Sequence, residues 1–321
     1  METLILTEKE VKELISMEEA INAVEGAFKL HALKKVQMPP KIYLFFENGD
    51  LRAMPALVGN YAGIKWVNSH SNNPSIGLPT VMALYILNDP STGFPLSVMD
   101  ATFLTSLRTG AAGGVAVKHL ARKDSKVAGF IGCGRQAYFQ LEAINKILSL
   151  EKVKGFDISK EALKKFGEFC LKIGIDFEAC SAEDASNSDI LITATPSTKP
   201  VVMNEWVKDG THINAIGADA PGKQELDERI LLRSKIVVDD LEQALHGGEI
   251  NVAYSRGLIK RENIYATLGE VVAKIKPGRE RYEEITIFDS TGLAIQDVAV
   301  AKVVYENAIK KGVGRYIKFF E

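Results

Sequence analysis

The chain has 321 residues, a formal net charge of −2, 46% hydrophobic and 25% charged residues. That balance excludes a nucleic acid or membrane surface held by bulk electrostatics, and the length suits two domains better than one core. No apolar stretch reaches the ~18 residues that span a bilayer, and the opening METLILTEKEVKELI lacks the apolar centre of a secretory peptide. A cytoplasmic protein is expected. Cys133, Cys170 and Cys180 are odd in number and lack metal-ligand spacing, so they read as free thiols and no metal site is expected.

Two capping boxes, Thr7 with Glu10 and Ser16 with Glu19, open the chain, and Leu14, Ala20, Ile21, Val24, Phe28 and Leu30 form a helical stripe. After Pro39 and Pro40 the period changes to two. KIYLFFE and LRAMPALV flank Asn48-Gly49, a hairpin signal, and YAGIKWVN, TVMALYILN and FPLSVMD extend an antiparallel sheet over residues 40–99. With Asn48-Gly49 as the turn, Phe45 lies opposite Arg52, so Lys41, Tyr43, Phe45 and Arg52 share a face, with Lys41 about 13 Å up the strand. From Asp100, a suitable N-cap, a helix runs to about His119. KVAGFIG, VKGFDI, FEAC, DILITAT, THINAIGA, KIVVDD and EITIFDS then alternate with helical stretches, the mark of a parallel sheet covered by helices. A last helix spans residues 293–310. The expected architecture is α/β. Residues 116–295 form a Rossmann-type doubly wound parallel sheet, and 1–115 with 296–321 form a smaller α+β domain with an antiparallel sheet.

Gly132-Cys133-Gly134-Arg135-Gln136-Ala137 follows a strand and opens a helix, the context that a G-x-G-x-x-A phosphate loop requires. The first glycine permits the tight turn, and the second lets a diphosphate reach backbone N–H groups at the positive end of the helix dipole. Asp157 ends the next strand, with Ile158 and Ser159 beside it. A carboxylate there accepts from a ribose hydroxyl and repels a 2′-phosphate, so NAD is expected rather than NADP.

Hydride transfer also needs a cation for the substrate carboxylate and an acid or base near the reacting carbon. Lys65 interrupts the apolar run Gly63–Val67, so it either snorkels to solvent or sits in a site with a lowered pKa. Arg108 lies in a helix of Ala, Gly and Leu and needs an anion there, whether substrate or structural partner. Asp219, just past the strand THINAIG, either moves a proton or caps a turn. Ser290, at the end of ITIFD, either meets nicotinamide or caps a helix. The five histidines have no metal spacing and receive no role.

Seven ordered stretches carry a resemblance to a known family. They are GIKWVN at 63–68, GLPT at 77–80, DPSTGFPL at 89–96, LRTGA at 107–111, IGCGRQA, GADAPGKQEL at 217–226 and DSTGLAIQD at 289–297. Together they make the chain similar to the ornithine cyclodeaminase/mu-crystallin family over nearly its whole length, and to its archaeal dehydrogenase branch above all. The resemblance implies a homodimer joined through its antiparallel sheets, with the active site between the domains. It implies that Lys65 contacts substrate, that Arg108 serves the substrate carboxylate or the cofactor, and that Asp219 is the catalytic acid/base. Thr80, Arg135, Gln136, Asp157, Gly217, Lys223 and Ser290 fall where the family meets NAD. The sequence departs from the cyclodeaminases at Arg52, where they place a glutamate that handles the amine of ornithine. A cation there suits a carboxylate instead, which favours a short amino or keto acid. The implied reaction is NAD-dependent, reversible deamination of L-alanine to pyruvate and ammonia. A pyrroline-2-carboxylate reductase, an ornithine cyclodeaminase and a non-enzymatic nucleotide- or ligand-binding protein are the alternatives.

Overall fold

The strand candidates of the first hundred residues pair into one sheet, and along Ala83–Asn88 buried and exposed positions alternate although nearly every residue is apolar. A computed structural model describes residues 1–321, which divide into one unit of Met1–Arg108 with Leu293–Glu321 and a second of Thr109–Gly292. The sequence placed the divides at 115/116 and 295/296. No composition change marks them, because the helix Thr102–Leu120 runs unbroken through the first.

In the first unit, β1 (Thr3–Leu6), β2 (Val36–Gln37), β3 (Ile42–Phe46), β4 (Gly49–Val58), β5 (Tyr61–Ser69), β6 (Ala83–Asn88) and β7 (Pro95–Asp100) form one sheet with the terminal strand Arg315–Ile317. The order is terminal strand, β1, β7, β6, β5, β4, β2, with β3 also on β4. All pairs are antiparallel except β1 with β7. β1 and the two outermost strands were not foreseen from sequence, being too short to show a period.

Helix Met17–Ala32 starts on the foreseen capping box: Glu19 N donates to Ser16 Oγ and Ser16 N to Glu19 Oε2. Its stripe Ala20, Ile21, Val24 and Phe28 is buried. It packs on helix Ala294–Lys311, which in turn covers β4, β5 and β6. The covered sheet face carries Met54, Lys65, Val67, Tyr85 and Met99. The opposite face leaves Ile42, Leu44, Phe46, Trp66, Leu84 and Ile86 exposed.

The hairpin register differs from the expected one. Phe46 pairs with Gly49, so Glu47 and Asn48 make the turn and Tyr43, not Phe45, lies opposite Arg52. Gly49 is a strand residue, glycine because a Cβ there would collide with the Ser69 carbonyl and the His70 ring. A two-residue shift leaves every side chain on its face. It brings Lys41 to two residues from the level of Arg52, ~7 Å along the strand rather than ~13 Å.

The second unit is an eight-stranded, wholly parallel sheet. Its strands are β8 (Val127–Ile131), β9 (Lys152–Phe156), β10 (Asp176–Ala179), β11 (Ile190–Thr193), β12 (His212–Ala215), β13 (Ser234–Val238), β14 (Ile264–Thr267) and β15 (Ile285–Asp289). The order is β10-β9-β8-β11-β12-β15-β13-β14. Central strands β11, β12 and β15 are buried at every residue, as a sheet covered on both faces demands. Edge strand β14 is mostly half-buried and was not foreseen from sequence. The chain reverses its direction of travel through the sheet between β8 and β11. In doubly wound sheets the crevice beyond those two strand ends receives ligands. The protein is therefore α/β: a Rossmann-type doubly wound sheet with a smaller α+β unit built on an antiparallel sheet.

Candidate active site

The loop after β8 is shaped as a phosphate cradle. Gly132 has φ +93°, which L side chains rarely adopt, and a Cβ there would lie 2.7 Å from the Ala194 carbonyl oxygen. Gly134 caps helix Arg135–Ile147 in an extended conformation, and a Cβ built on it meets nothing within 4 Å. Backbone N–H groups at the helix start thus face open space that only a glycine leaves clear. Ala137 is fully buried beneath them. Asp157 accepts from Cys133 N at 2.7 Å and from Ser159 N at 2.7 Å, one bond per oxygen, so it ties the glycine loop to the end of β9. It does not cap the next helix; Ser159 does, accepting from Ala162 N. An ionised carboxylate has about four acceptor positions, so Asp157 retains capacity for a ribose. Ile158 is 95% exposed beside it, an apolar surface that a flat base could cover. Arg135 is exposed at the helix start, and Gln136 has a buried Oε1 with no hydrogen-bond partner.

The remaining strand ends are held by buried carboxylates. Glu225 accepts from Thr195 N, Thr195 Oγ1, Thr193 Oγ1 and Gly217 N. Glu249 accepts from the backbone N–H groups of Glu225 and Leu226, and Asp289 from those of Glu249 and Ile250. Asp239 accepts from Thr291 N and Gly292 N at 2.7 Å each. Burial pushes Glu225 and Glu249 up from the usual carboxylate range, and it pushes Asp289 up to about 8. These bonds fix the loop that carries Gly217 and Asp219. Asp219 Oδ1 meets Lys223 Nζ at 2.5 Å, and Lys223 also reaches the Gly217 carbonyl at 3.5 Å. Ser290, anchored by its N–H on the Ala215 carbonyl, keeps a buried Oγ without a hydrogen-bond partner.

In the first unit Lys65 does not snorkel. It is 1% exposed, and its Nζ lies 2.9 Å from both Asp297 oxygens while donating to Oδ1. Arg108 Nε donates to the same Oδ1 at 3.1 Å, and its Nη1 to Gln296 Oε1 at 3.0 Å. Two cations thus converge on one carboxylate. Burial, then Arg108, push Lys65 down to about 7, against the pull of Asp297; Lys41 contributes to the lowering. Tyr85, directly across from Lys65 on β6, is buried with an unpartnered Oη, and burial raises its pKa well above the phenolic range. Arg52 shares this face, diagonal to Lys65. Its guanidinium grips Asp50 through Nε at 2.6 Å and Nη2 at 2.9 Å and lies 5.3 Å from the Tyr43 ring centroid. Arg52 is therefore a paired cation rather than the bare one its sequence position suggested. Thr80 is exposed in the loop before β6, its carbonyl accepting from His70 N. A cavity of 1040 Å³ in this unit, lined by Glu19, Gly26, Tyr61, Asp89, Lys302 and Glu306 among others, includes none of these groups.

Sequence reading missed Asp297, Gln296 and Tyr85 in the first unit and the carboxylates at 225, 249, 239 and 289 in the second. Only the strand-final aspartates of KIVVDD and ITIFDS carried a signal, an acid ending an apolar strand.

A family model for the ornithine cyclodeaminase/mu-crystallin family matches residues 1–312. The chain is 68% identical to the alanine dehydrogenase of Archaeoglobus fulgidus, covering 100% of this chain and 99% of the relative. It is 36% identical to the iminosuccinate reductase of Paracoccus denitrificans over 98% and 99%. Among solved structures it resembles an archaeal alanine dehydrogenase dimer with bound NAD (TM-score 0.98, 68% identity, 100% of both chains). It also resembles the delta(1)-pyrroline-2-carboxylate reductase of Thermococcus litoralis in complex with NADH and L-proline (TM-score 0.95, 42% identity, 98% of this chain and 100% of that one).

Proposed function

Because the chain belongs to the ornithine cyclodeaminase/mu-crystallin family, we propose that it works within it as an NAD-dependent alanine dehydrogenase, interconverting L-alanine with pyruvate and ammonia. The observation that carries this reading is 68% identity, end to end, to a protein of that activity. The glycine cradle and the Lys65 cluster give it chemistry. Backbone N–H groups at 134–136 take the diphosphate, and Asp157 takes the adenosine ribose. Ser290 Oγ and Gln136 Oε1 are buried polar atoms that a bound nucleotide can satisfy. NAD, when bound, accepts the hydride from C2 of alanine and returns it in the reverse direction.

The chain's own residues do the rest. Arg108 is committed to the deeply buried Asp297 and to Gln296, whereas the Arg52–Asp50 pair is the more exposed of the two and can open to an anion, which favours Arg52 with Lys41 as the receiver of the substrate carboxylate. In the deaminating direction C2 gives up a hydride and the amino nitrogen a proton, which neutral Lys65 accepts, leaving an imine. Asp219 removes a proton from the water that adds to C2, and ammonia departs as the carbonyl forms. In the aminating direction Lys65, protonated, polarises the carbonyl or imine and supplies the proton. The exposed sheet face Ile42, Leu44, Phe46, Trp66, Leu84 and Ile86 supports a homodimer joined through these sheets.

NADH absorbance with pyruvate and ammonium, set beside pyrroline-2-carboxylate and ornithine, tests the assignment. Oxidation with pyruvate plus ammonium is expected. Turnover confined to the cyclic imine would overturn it. Lys65→Ala is expected to abolish turnover and leave NAD affinity within about twofold, since the Lys65 ammonium is bound to Asp297.

A further inference from the structure

Asp297 stands in none of the roles above, yet it is the point on which the Lys65 cluster is built. It sits in the first turn of helix Ala294–Lys311, where an acid would ordinarily face solvent and complement the helix dipole. Here it is 2% exposed. A lone carboxylate buried among apolar residues is costly unless paired, and its partners are two cations from two other elements: Lys65 of β5 and Arg108 of helix Thr102–Leu120.

We infer that Asp297 is the positioning residue of the substrate site: its carboxylate fixes Lys65 and Arg108 on a single oxygen, and its charge holds the buried Lys65 ammonium. The inference rests on the proposed role of Lys65. Every charged or titratable group facing Lys65 bears on it. Arg108 from its helix and Lys41 from the segment before β3 drive the proton off, Tyr85 on β6 stays a neutral phenol, and Asp297 alone holds the proton on. Gln296 completes the arrangement. Its Oε1 accepts from Arg108 and from Leu293 N, while its Nε2 is buried without a hydrogen-bond partner.

A purely structural Asp297 and a positioning one differ in one readout, the pH at which Lys65 loses its proton. Removing the charge should lower that pH, because Arg108 and Lys41 are then unopposed. The experiment records kcat/KM for pyruvate amination by the full-length protein against pH, for wild type, Asp297→Asn and Asp297→Glu. The wild type is expected to lose activity as pH rises through about 7. Asp297→Asn should move that limb down by about one pH unit or more, with NAD affinity retained, while Asp297→Glu keeps the charge and should leave the limb in place. An Asn variant with the wild-type limb overturns the inference, however far its kcat falls. If the Asn variant does not fold, Asp297→Ser, which admits a water, is read the same way. Failure of both to fold also overturns it, since it makes Asp297 a structural residue. If the wild type does not turn over pyruvate, the alanine reading falls by itself. NMR titration of ¹³Cε-labelled Lys65 in wild type and Asp297→Asn then decides the inference separately: a downward shift supports it, and no shift sinks it.

Discussion

Gly134→Ala separates a nucleotide cradle from an ordinary tight turn. The extended backbone of Gly134 (φ −78°, ψ −165°) is open to alanine, and the added methyl meets nothing within 4 Å. Alanine also reduces the freedom of the unfolded chain, worth ~0.4–1 kcal/mol in its favour. It is the poorer N-cap by a similar amount. Folding stability should therefore change by less than about 0.5 kcal/mol. Binding is another matter. A methyl at this position occupies the space through which a diphosphate reaches the helix N–H groups. Hydrogen bonds to charged groups contribute ~1.5–3 kcal/mol each. Losing two of them, at the low end, costs about 3 kcal/mol, or at least a hundredfold in Kd. Gly132→Ala is the contrasting control. At φ +93° and 2.7 Å from the Ala194 carbonyl oxygen, it should lose ~2 kcal/mol or more of stability as well. Urea unfolding gives the first quantity, and NADH fluorescence titration the second. A stable Gly134→Ala protein that binds NADH like wild type would refute the cradle.

Three further outcomes follow from the same reasoning. Asp50→Asn releases the guanidinium of Arg52; if that group receives the substrate carboxylate, KM for pyruvate should fall about three- to tenfold, and an unchanged or raised KM assigns the carboxylate elsewhere. His212 is fully buried between Thr286 and Asn214, and burial pushes it down to about 3. A depressed folded pKa gives stability that is present above the unfolded value of ~6.5 and lost as pH falls towards ~3. Relative to His212→Gln, wild type should therefore lose roughly 2–3 kcal/mol between about pH 7 and about pH 4.5, and parallel urea curves at the two pH values would contradict this. Leu84→Glu places a charge in the middle of the exposed sheet face and should convert a dimer to monomer in sedimentation velocity; an undisturbed dimer moves the interface elsewhere.

What the sequence revealed was local. A period of two with turn residues announced the antiparallel sheet, and a glycine loop between strand and helix announced the phosphate cradle. Lys65 and Arg108 drew notice because each breaks an apolar run. Their shared partner lies 232 residues from Lys65 along the chain, and its helix reads as an ordinary one with an acid in its first turn. The Glu225 and Glu249 bonds are long-range in the same way. Asp50 was legible: residues two apart on a strand share a face, so an Asp-x-Arg spacing already held the ion pair that tempers Arg52. The hairpin register was misjudged because a glycine required by the neighbouring Ser69 carbonyl and His70 ring looked like a turn glycine.

The carboxylates of Glu225, Glu249 and Asp289 are gripped by amides and hydroxyls. Mobile ions weaken the attraction between opposite charges but have little purchase on a buried bond to a neutral donor. The loops bearing Asp219 and Lys223 should therefore keep their shape from dilute buffer to concentrated brine.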